Sequence, residues 1–165
     1  MRYTYLDTPI GKLLIAGDDA GLRRIAFDSA APEAGWQLDP GAFVETTRQL
    51  HEYFARRRQT FDLPLAPEGT AFQRAVWEIV RRIAYGQRAT YGDLAGQLDK
   101  PGAARAVGAA NACNPLPIVI PCHRVVGSGG ALTGYAGGLE IKRQLLQLEQ
   151  SEPPDHAAPS SRASA

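Results

Sequence analysis

The sequence predicts an α+β protein with two lobes: a small N-terminal lobe in which a three-stranded antiparallel sheet packs with a helix, and a mainly helical C-terminal lobe. Turn signals divide the first 28 residues into short segments, a proline-rich segment over 64–69 resembles a linker, and apolar residues at helical spacing dominate the part that follows. We expect residues 1–69 to form the N-terminal lobe with its linker, 70–150 the C-terminal lobe, and 151–165, rich in Pro, Ser and Ala, a disordered tail.

The N-terminal lobe begins with β-forming residues that are interrupted by turn signals at 8–11 and 18–21. These signals predict a meander of three strands, over 2–6, 12–16 and 22–27. Helical spacing then predicts a helix over 40–58. Its last three residues are arginines, which suit the negative end of the helix dipole and are better explained by it than by contact with DNA. Residues 61–65 are expected to add another strand.

The C-terminal lobe is predicted to be a series of helices. Thr70 is the expected N-cap of the first, which has Trp77 in the core and ends at Gly86. A short helix, a tight turn and a second helix follow over 90–98, 99–102 and 103–111. This order is a helix-turn-helix, a motif that is weak evidence of DNA binding by itself because helical hairpins are common. A final helix is expected over 140–149.

Composition narrows the functional classes. With 44% hydrophobic and 21% charged residues, the chain is neither disordered nor fibrous. Its longest apolar run is far below the ~20 residues of a membrane span, and Asp7 lies where a signal peptide would have its apolar core. We expect a soluble, cytoplasmic protein that does not contact membranes. The formal charge is −2 over 1–71, +4 over 72–149 and −1 over the tail, which permits a polyanionic partner, although a solvated basic face is the commoner explanation.

The second helix of the helix-turn-helix has an unusual composition. Its first turns present three small residues, Ala103, Ala104 and Ala106, around one long side chain, Arg105. Such a set is poor at reading base edges in a major groove, which requires hydrogen-bonding side chains. It suits a close approach to a duplex that does not depend on sequence.

Thiol chemistry, if any, rests on Cys113 and Cys122, because two cysteines cannot form a disulfide framework or a cysteine-rich zinc site. Most cysteines are simply small buried hydrophobes. Cys122, however, is followed at once by His123 and Arg124, and such neighbours lower the pKa of a thiol from ~8.5. Neighbouring residues of an extended segment point to opposite faces, so a contact between Cys122 and His123 requires a turn or a bridging water.

A third group would have to orient the imidazole, and both Glu149 and Asp93 are candidates that spacing alone does not separate. A cysteine, a histidine and a carboxylate fit a thiol hydrolase as well as a thiol that accepts an alkyl group. From the residues alone, the two reactions remain equally supported.

Short motifs in a fixed order connect the chain with a known family. Around the thiol the sequence reads Pro121-Cys122-His123-Arg124-Val125-Val126, with Asn114-Pro115 before it and Gly134-Tyr135-Ala136-Gly137-Gly138-Leu139 after it. Further matches are Thr70-Ala71-Phe72-Gln73, Tyr91-Gly92-Asp93-Leu94-Ala95, Arg105-Ala106-Val107-Gly108, Lys142, Leu145-Leu146 and Glu149. Over about half of the chain, these motifs resemble the O6-alkylguanine-DNA alkyltransferases, also called methylated-DNA-protein-cysteine methyltransferases. The resemblance implies a ribonuclease H-like N-terminal lobe and a C-terminal lobe with a winged helix-turn-helix and an active-site cysteine.

The resemblance also implies roles at the thiol. Cys122 would accept the alkyl group of an O6-alkylguanine, chiefly O6-methylguanine, in one irreversible event that directly reverses DNA damage. His123 would remove the thiol proton through a water and would be oriented by Glu149. Asn114 would brace the turn that carries this network, and Lys142 would donate hydrogen bonds near the thiolate.

The remaining implied roles concern DNA and the flipped base. Tyr91 would lie at the phosphate that rotates during base flipping and would help to protonate the departing guanine. Arg105 would fill the space that the flipped base leaves in the stack. The helix would contact the minor groove through small residues, Ala103, Ala104 and Gly108. The guanine pocket would be lined by Tyr135, Val125, Ala136 and Gly137.

Two departures from the family pattern are tolerable loop changes: Ala84 stands before Tyr85-Gly86 where a proline is usual, and Thr90 stands where serine often precedes the tyrosine. The cysteine and histidine pattern of a zinc site found in some relatives is missing, so we expect no metal and no cofactor. The expected partner is double-stranded DNA bound by a monomer, with cooperativity and activity on O4-methylthymine left open. Two alternatives remain: a damage sensor that binds alkylguanine without repairing it, and a cysteine hydrolase.

Overall fold

The sheet of the N-terminal lobe follows the turn signals of the sequence. In a computed structural model that describes residues 1–27 and 30–150, three strands form an antiparallel meander: β1 (Arg2–Thr8), β2 (Gly11–Asp18) and β3 (Gly21–Ala26). The predicted meander is confirmed. A short strand that the sequence analysis missed, β4 (Gln37–Leu38), pairs in parallel with β1 and gives the order β3-β2-β1-β4. Its two exposed residues carry no pattern that marks a strand. The predicted tail, 151–165, lies outside the described residues.

The helix of this lobe is shorter than predicted. A 3-10 turn over Pro40–Phe43 leads into α1 (Val44–Phe54), so the prediction of one helix over 40–58 was wrong at both ends. The proline at 40 starts the tighter turn, and Arg56 adopts a left-handed backbone with φ 61°, which a continuing helix excludes. The three arginines at 56–58 therefore follow the helix and do not form its last turn.

The linker lies against the sheet edge without forming a strand. Leu65 makes only an isolated bridge with Leu22, which corrects the prediction of a strand over 61–65. The Leu22 amide donates to the Pro64 carbonyl at 2.8 Å, and the Ala66 amide donates to the Leu22 carbonyl at 2.8 Å. Gly21 makes this approach possible, because a Cβ there would lie 2.6 Å from the Pro64 carbonyl oxygen and its φ is +139°.

The helices of the C-terminal lobe are α2 (Ala71–Arg81), α3 (Tyr91–Gln97), α4 (Ala104–Ala112) and α5 (Leu139–Gln150). Thr70 caps α2 as predicted, within a capping box that it forms with Gln73. Trp77 is buried, and its indole nitrogen donates to the Ala110 carbonyl at 2.8 Å, which joins α2 to α4. The helix ends at Arg81 and not at Gly86 as predicted.

Helices α3 and α4 form the predicted helix-turn-helix, with Asp99 in a left-handed conformation between them. Two short strands that no periodicity could predict, β5 (Ala89–Thr90) and β6 (Val125–Val126), pair in parallel directly before α3. This pairing places the start of α3 beside the chain that follows Cys122. None of the helices within 1–27 and 30–150 is long and apolar enough to cross a membrane.

Candidate active site around Cys122

Cys122 lies on a buried 3-10 turn over Cys122–Arg124, between the end of α4 and β6. The Cys122 amide donates to the Ile120 carbonyl at 2.7 Å, and the Arg124 amide donates to the Pro121 carbonyl at 2.9 Å. The segment is therefore a turn and not extended. Because the chain turns here, the three consecutive side chains leave the backbone in different directions, and all three are buried.

Two asparagines brace this turn from the C-terminal end of α4. Asn114 donates from Nδ2 to the Ile120 carbonyl at 2.8 Å, while its Oδ1 accepts from the Leu116 amide at 2.9 Å. Asn111 donates from Nδ2 to the Cys122 carbonyl at 3.4 Å. The end of the helix-turn-helix is thus hydrogen-bonded to the segment that carries the thiol.

A buried carboxylate, Glu149 near the end of α5, collects hydrogen bonds from three side chains. His123 Nε2 lies 2.7 Å from Glu149 Oε2, and Arg124 donates from Nε and Nη2 to the two carboxylate oxygens, each at 2.9 Å. The hydroxyl of Tyr53, on α1 of the other lobe, donates to Oε2 at 2.6 Å. Asp93, the other candidate for orienting the imidazole, is exposed and belongs to the capping box of α3.

The charge state of Glu149 fixes the tautomer of His123. Burial favours a protonated carboxyl, but the hydrogen bonds from His123 and Arg124 outweigh it and hold the pKa of Glu149 at about 2. An ionised carboxylate can only accept, so the proton of the imidazole lies on Nε2. The other nitrogen, Nδ1, is buried without a hydrogen-bond partner among the described residues. Burial also lowers the pKa of His123, so the ring is neutral and Nδ1 offers a lone pair.

The Cys122 thiol is not the activated thiolate that its sequence neighbours suggested. Burial raises its pKa, and the nearby side chains of Asn114, Tyr135 and Lys142 lower it by less. The guanidinium of Arg124 is paired with Glu149. The thiol is therefore protonated at neutral pH and needs a base, and Nδ1 of the adjacent His123 is available to take a proton.

Lys142 on α5 is completely buried, and its pKa is lowered by burial. Its ammonium donates to the Val125 carbonyl at 2.7 Å and to the Thr133 carbonyl at 3.2 Å, which ties β6 to the loop after it. The Tyr135 hydroxyl on that loop is buried beside the Cys122 thiol, and its pKa is raised by burial and by that neighbour. Val125 is buried beside these groups, Ala136 is exposed, and Gly137 is partly buried.

The residues expected to contact DNA lie on α3, on α4 and directly before α4. Arg105 is exposed in the first turn of α4, which begins after Ala103 and includes Ala104. Tyr91 begins α3, and its hydroxyl shares a 2.6 Å hydrogen bond with Thr133 Oγ1. Gly108 faces the Tyr91 ring, which would be 3.5 Å from a Cβ at that position. In the described residues, no group of three or more His, Cys, Asp or Glu side chains could hold a metal ion.

Sequence reasoning missed Tyr53, Thr133 and Phe27, each of which contacts a site residue. No local signal marks Tyr53, because it lies off the apolar positions that predicted α1 and meets Glu149 from 96 residues away. Phe27 was assigned only to a strand.

Comparisons with known proteins agree over both lobes. The family described as 6-O-methylguanine DNA methyltransferase matches with its ribonuclease-like domain over residues 1–67 and with its DNA-binding domain over 71–151. A methylated-DNA-protein-cysteine methyltransferase of Methanosarcina acetivorans is 46% identical over 155 residues, which cover 92% of this chain and 99% of the relative. A methylated-DNA-protein-cysteine methyltransferase of Mycobacterium tuberculosis is 45% identical over 157 residues, which cover 93% of this chain and 95% of the relative.

Solved structures show the same likeness. The M. tuberculosis protein OGT in complex with DNA superposes with a TM-score of 0.88 at 45% identity, covering 94% of this chain and 98% of that chain. An O6-methylguanine DNA methyltransferase from Methanococcus jannaschii gives a TM-score of 0.64 at 27% identity, covering 90% and 94%. The expected α+β fold is confirmed. On the strength of these matches, the chain belongs to the methylated-DNA-protein-cysteine methyltransferase family.

Proposed function

We propose that the protein repairs O6-alkylguanine, chiefly O6-methylguanine, in double-stranded DNA by transferring the alkyl group to Sγ of its own Cys122. One observation carries the proposal: on one turn, a buried, protonated thiol is followed in the chain by a neutral imidazole whose Nε2 is held by an ionised carboxylate and whose Nδ1 is free to accept. Membership of the family supports the same reaction, because its curated relatives are named for transfer from methylated DNA to a protein cysteine.

In the proposed reaction, Nδ1 of His123 takes the Cys122 proton through a bridging water. The sulfur then attacks the alkyl carbon, an S–C bond forms, and the C–O6 bond breaks with its electron pair leaving on guanine. Glu149 stabilises the imidazolium that forms, as a buried carboxylate does for a catalytic histidine. The guanine anion is protonated with help from the Tyr91 hydroxyl, so the net transfer is an alkyl group to sulfur and a proton to guanine.

The same chemistry limits each molecule to one event. The product is a thioether, which has neither a thiolate leaving group nor an acyl carbon that water could attack. No neighbouring residue has to regenerate the thiol for the DNA to be restored, so repair is stoichiometric with protein.

The proposed contacts with DNA explain the small residues on α4. A base within a duplex is out of reach of a buried thiol, so it must be rotated out at a cost of a few kcal/mol. Arg105 would occupy the vacated space, while Ala103, Ala104 and Gly108 would allow the helix to approach the minor groove closely. Asn114 would then link the bound helix to the turn that carries Cys122.

The pocket for the flipped base would be formed by Tyr135, Val125, Ala136 and Gly137. Lys142 supports this assignment, because its ammonium binds the carbonyls of Val125 and Thr133 and lies where it stabilises a thiolate at Cys122. We further propose that residues 1–69 and 70–150 act as two lobes of a monomer. Since the reaction consumes a free thiol, the cytoplasm, which is reducing, is the proposed location.

The test is intact-mass analysis after incubation with a duplex that contains one O6-methylguanine. We expect each wild-type molecule to gain one methyl group, located on Cys122 by peptide mapping, and Cys122→Ala to gain none while keeping nearly unchanged duplex affinity. Cys113→Ser, which removes the exposed thiol, is the matched control and should react like wild type. Methyl transfer to Cys113 would refute the assignment. Binding of the damaged duplex without methyl transfer would favour the damage sensor. Repeated turnover of a nitrophenyl ester would favour the cysteine hydrolase.

A further inference from the structure

Phe27 packs the loop that carries Tyr135 and Gly137 against the N-terminal lobe. This residue follows β3 directly, and its ring centroid lies 5.5 Å from that of Tyr135 at an interplanar angle of 57°. Both rings pack against the same hydrophobic core. The contact therefore joins the sheet of one lobe to the pocket of the other.

Gly137 shows how closely Phe27 is fitted to the loop. A Cβ on Gly137 would lie 3.0–3.1 Å from three carbons of the Phe27 ring, which is too short for an ordinary van der Waals contact. The backbone at Gly137 is not left-handed, so an alanine there would not carry the strain of a positive φ. The Phe27 ring is thus the closest obstacle to a side chain at position 137.

Phe27 cannot easily move away, because the end of β3 is fixed to the C-terminal lobe. The Ile25 amide donates to the Pro115 carbonyl at 2.9 Å, one residue after Asn114. A cleft of about 680 Å³ is lined by Phe27, by Asn114 and by Ala136 of the pocket loop. The ring and the loop therefore border the same open cleft.

We propose that Phe27 is a specificity-determining residue of the proposed alkyl transfer, and that its ring limits how far Tyr135 and the pocket loop can retreat from Cys122 when the alkyl group is bulky. This inference rests on the proposed function. The ring acts through Tyr135 and Gly137 and does not touch the reacting atoms. A smaller side chain at 27 gives the loop room to move toward the cleft, so the rate of transfer of bulky alkyl groups increases more than the rate of methyl transfer.

The experiment compares single-turnover rates on two duplexes that differ only in the modified base, O6-methylguanine or O6-benzylguanine. Phe27→Leu and Phe27→Ala should raise the benzyl-to-methyl rate ratio by roughly threefold or more, the scale of coupling between residues in contact. Because both rates come from one preparation, the ratio does not depend on the fraction of folded protein. Phe43→Leu, which alters a buried ring elsewhere in the same lobe, should leave the ratio unchanged.

A double-mutant cycle tests the contact itself. Gly137→Ala should slow benzyl transfer, and adding Phe27→Leu should recover roughly threefold or more of that loss. Gly134→Ala is the matched control, because a Cβ there would meet nothing within 4 Å, and its effect should be additive with Phe27→Leu. An unchanged ratio in both Phe27 variants, or additive effects of Phe27→Leu and Gly137→Ala, overturns the inference. A wild-type protein that transfers no alkyl group refutes the proposed function instead.

Discussion

Replacing Glu149 by glutamine tests the buried hydrogen-bond network that surrounds His123. The carboxylate accepts from His123, Arg124 and Tyr53, and its side chain is almost completely buried. Glutamine has nearly the same shape but lacks the charge, and it presents an NH2 group where only acceptors fit. The buried guanidinium of Arg124 then loses its ion-pair partner, which typically costs about 3–5 kcal/mol of unfolding free energy.

The pH dependence of this cost in unfolding free energy separates the contribution of the Glu149 charge from that of side-chain packing. A pKa of about 2 in place of the ordinary 4.5 corresponds to about 3 kcal/mol. Because the folded-state pKa is lowered, the contribution of Glu149 is fully present above pH 4.5 and is lost as the pH falls toward 2. The difference in unfolding free energy between wild type and Glu149→Gln should therefore be about 3–5 kcal/mol at pH 7 and should shrink by about 3 kcal/mol near pH 2.

Urea unfolding followed by the fluorescence of buried Trp77 measures this difference at a series of pH values. Other carboxyl groups with lowered pKa values, such as Glu45 and Asp93, titrate in both proteins and cancel. A difference that stays constant from pH 7 to pH 2 would refute the ionised, multiply bonded state of Glu149. It would also remove the reason for placing the imidazole proton on Nε2 of His123.

Three further outcomes follow from the site and its surroundings. Arg105→Ala should slow transfer from duplex DNA more than transfer from free O6-benzylguanine, which has no stack to leave; equal losses in single-turnover rates would place Arg105 in the pocket or in folding. The slope of log affinity for duplex DNA against log salt concentration should be about −3 to −5, because roughly 3 to 5 phosphates are neutralised, and the affinity should hardly vary with DNA sequence. A slope near zero would contradict phosphate binding. Tyr53→Phe should lower the free energy of unfolding in urea by about 1.5–3 kcal/mol and should raise the pH at which the stabilising contribution of Glu149 is lost. Tyr85→Phe, which removes a hydroxyl 3.5 Å from its acceptor, should change neither quantity. Equal effects of the two variants would show that the Tyr53 hydroxyl is not the cause.

The elements that could be predicted from the sequence are those whose signals are local. The three-strand meander depends on turn residues a few positions apart, and the cap of α2 depends on Thr70 and the next turn of the same helix. Family motifs marked the neighbourhood of Cys122 for the same reason, since their residues are consecutive. Helix ends that depend on backbone conformation were harder to predict from the sequence. Nothing in the three arginines at 56–58 indicates that Arg56 adopts a left-handed φ, so the end of α1 was misplaced.

The contacts that could not be predicted join distant segments through very few residues. Strands β5 and β6 pair through two residues each, too few for any alternation to show. The pKa of the Cys122 thiol was misjudged because sequence adjacency to Arg124 does not reveal that the guanidinium turns toward Glu149. Burial, which raises that pKa, depends on the packing of both lobes and leaves no signal at the cysteine itself.

Tyr53 and Phe27 of the N-terminal lobe both contact residues of the candidate site, and each acts on a different part of the proposed reaction. Tyr53 donates to Glu149 and so bears on the basicity of the His123 network, whereas Phe27 supports the pocket loop and bears on the space available to the alkyl group. Neither side chain contacts Cys122 through a hydrogen bond of its own. A change at Tyr53 should therefore alter methyl and benzyl transfer to the same extent, while a change at Phe27 should alter their ratio. These different effects of the two changes would distinguish an N-terminal lobe that influences the rate and selectivity of alkyl transfer from one that only stabilises the fold.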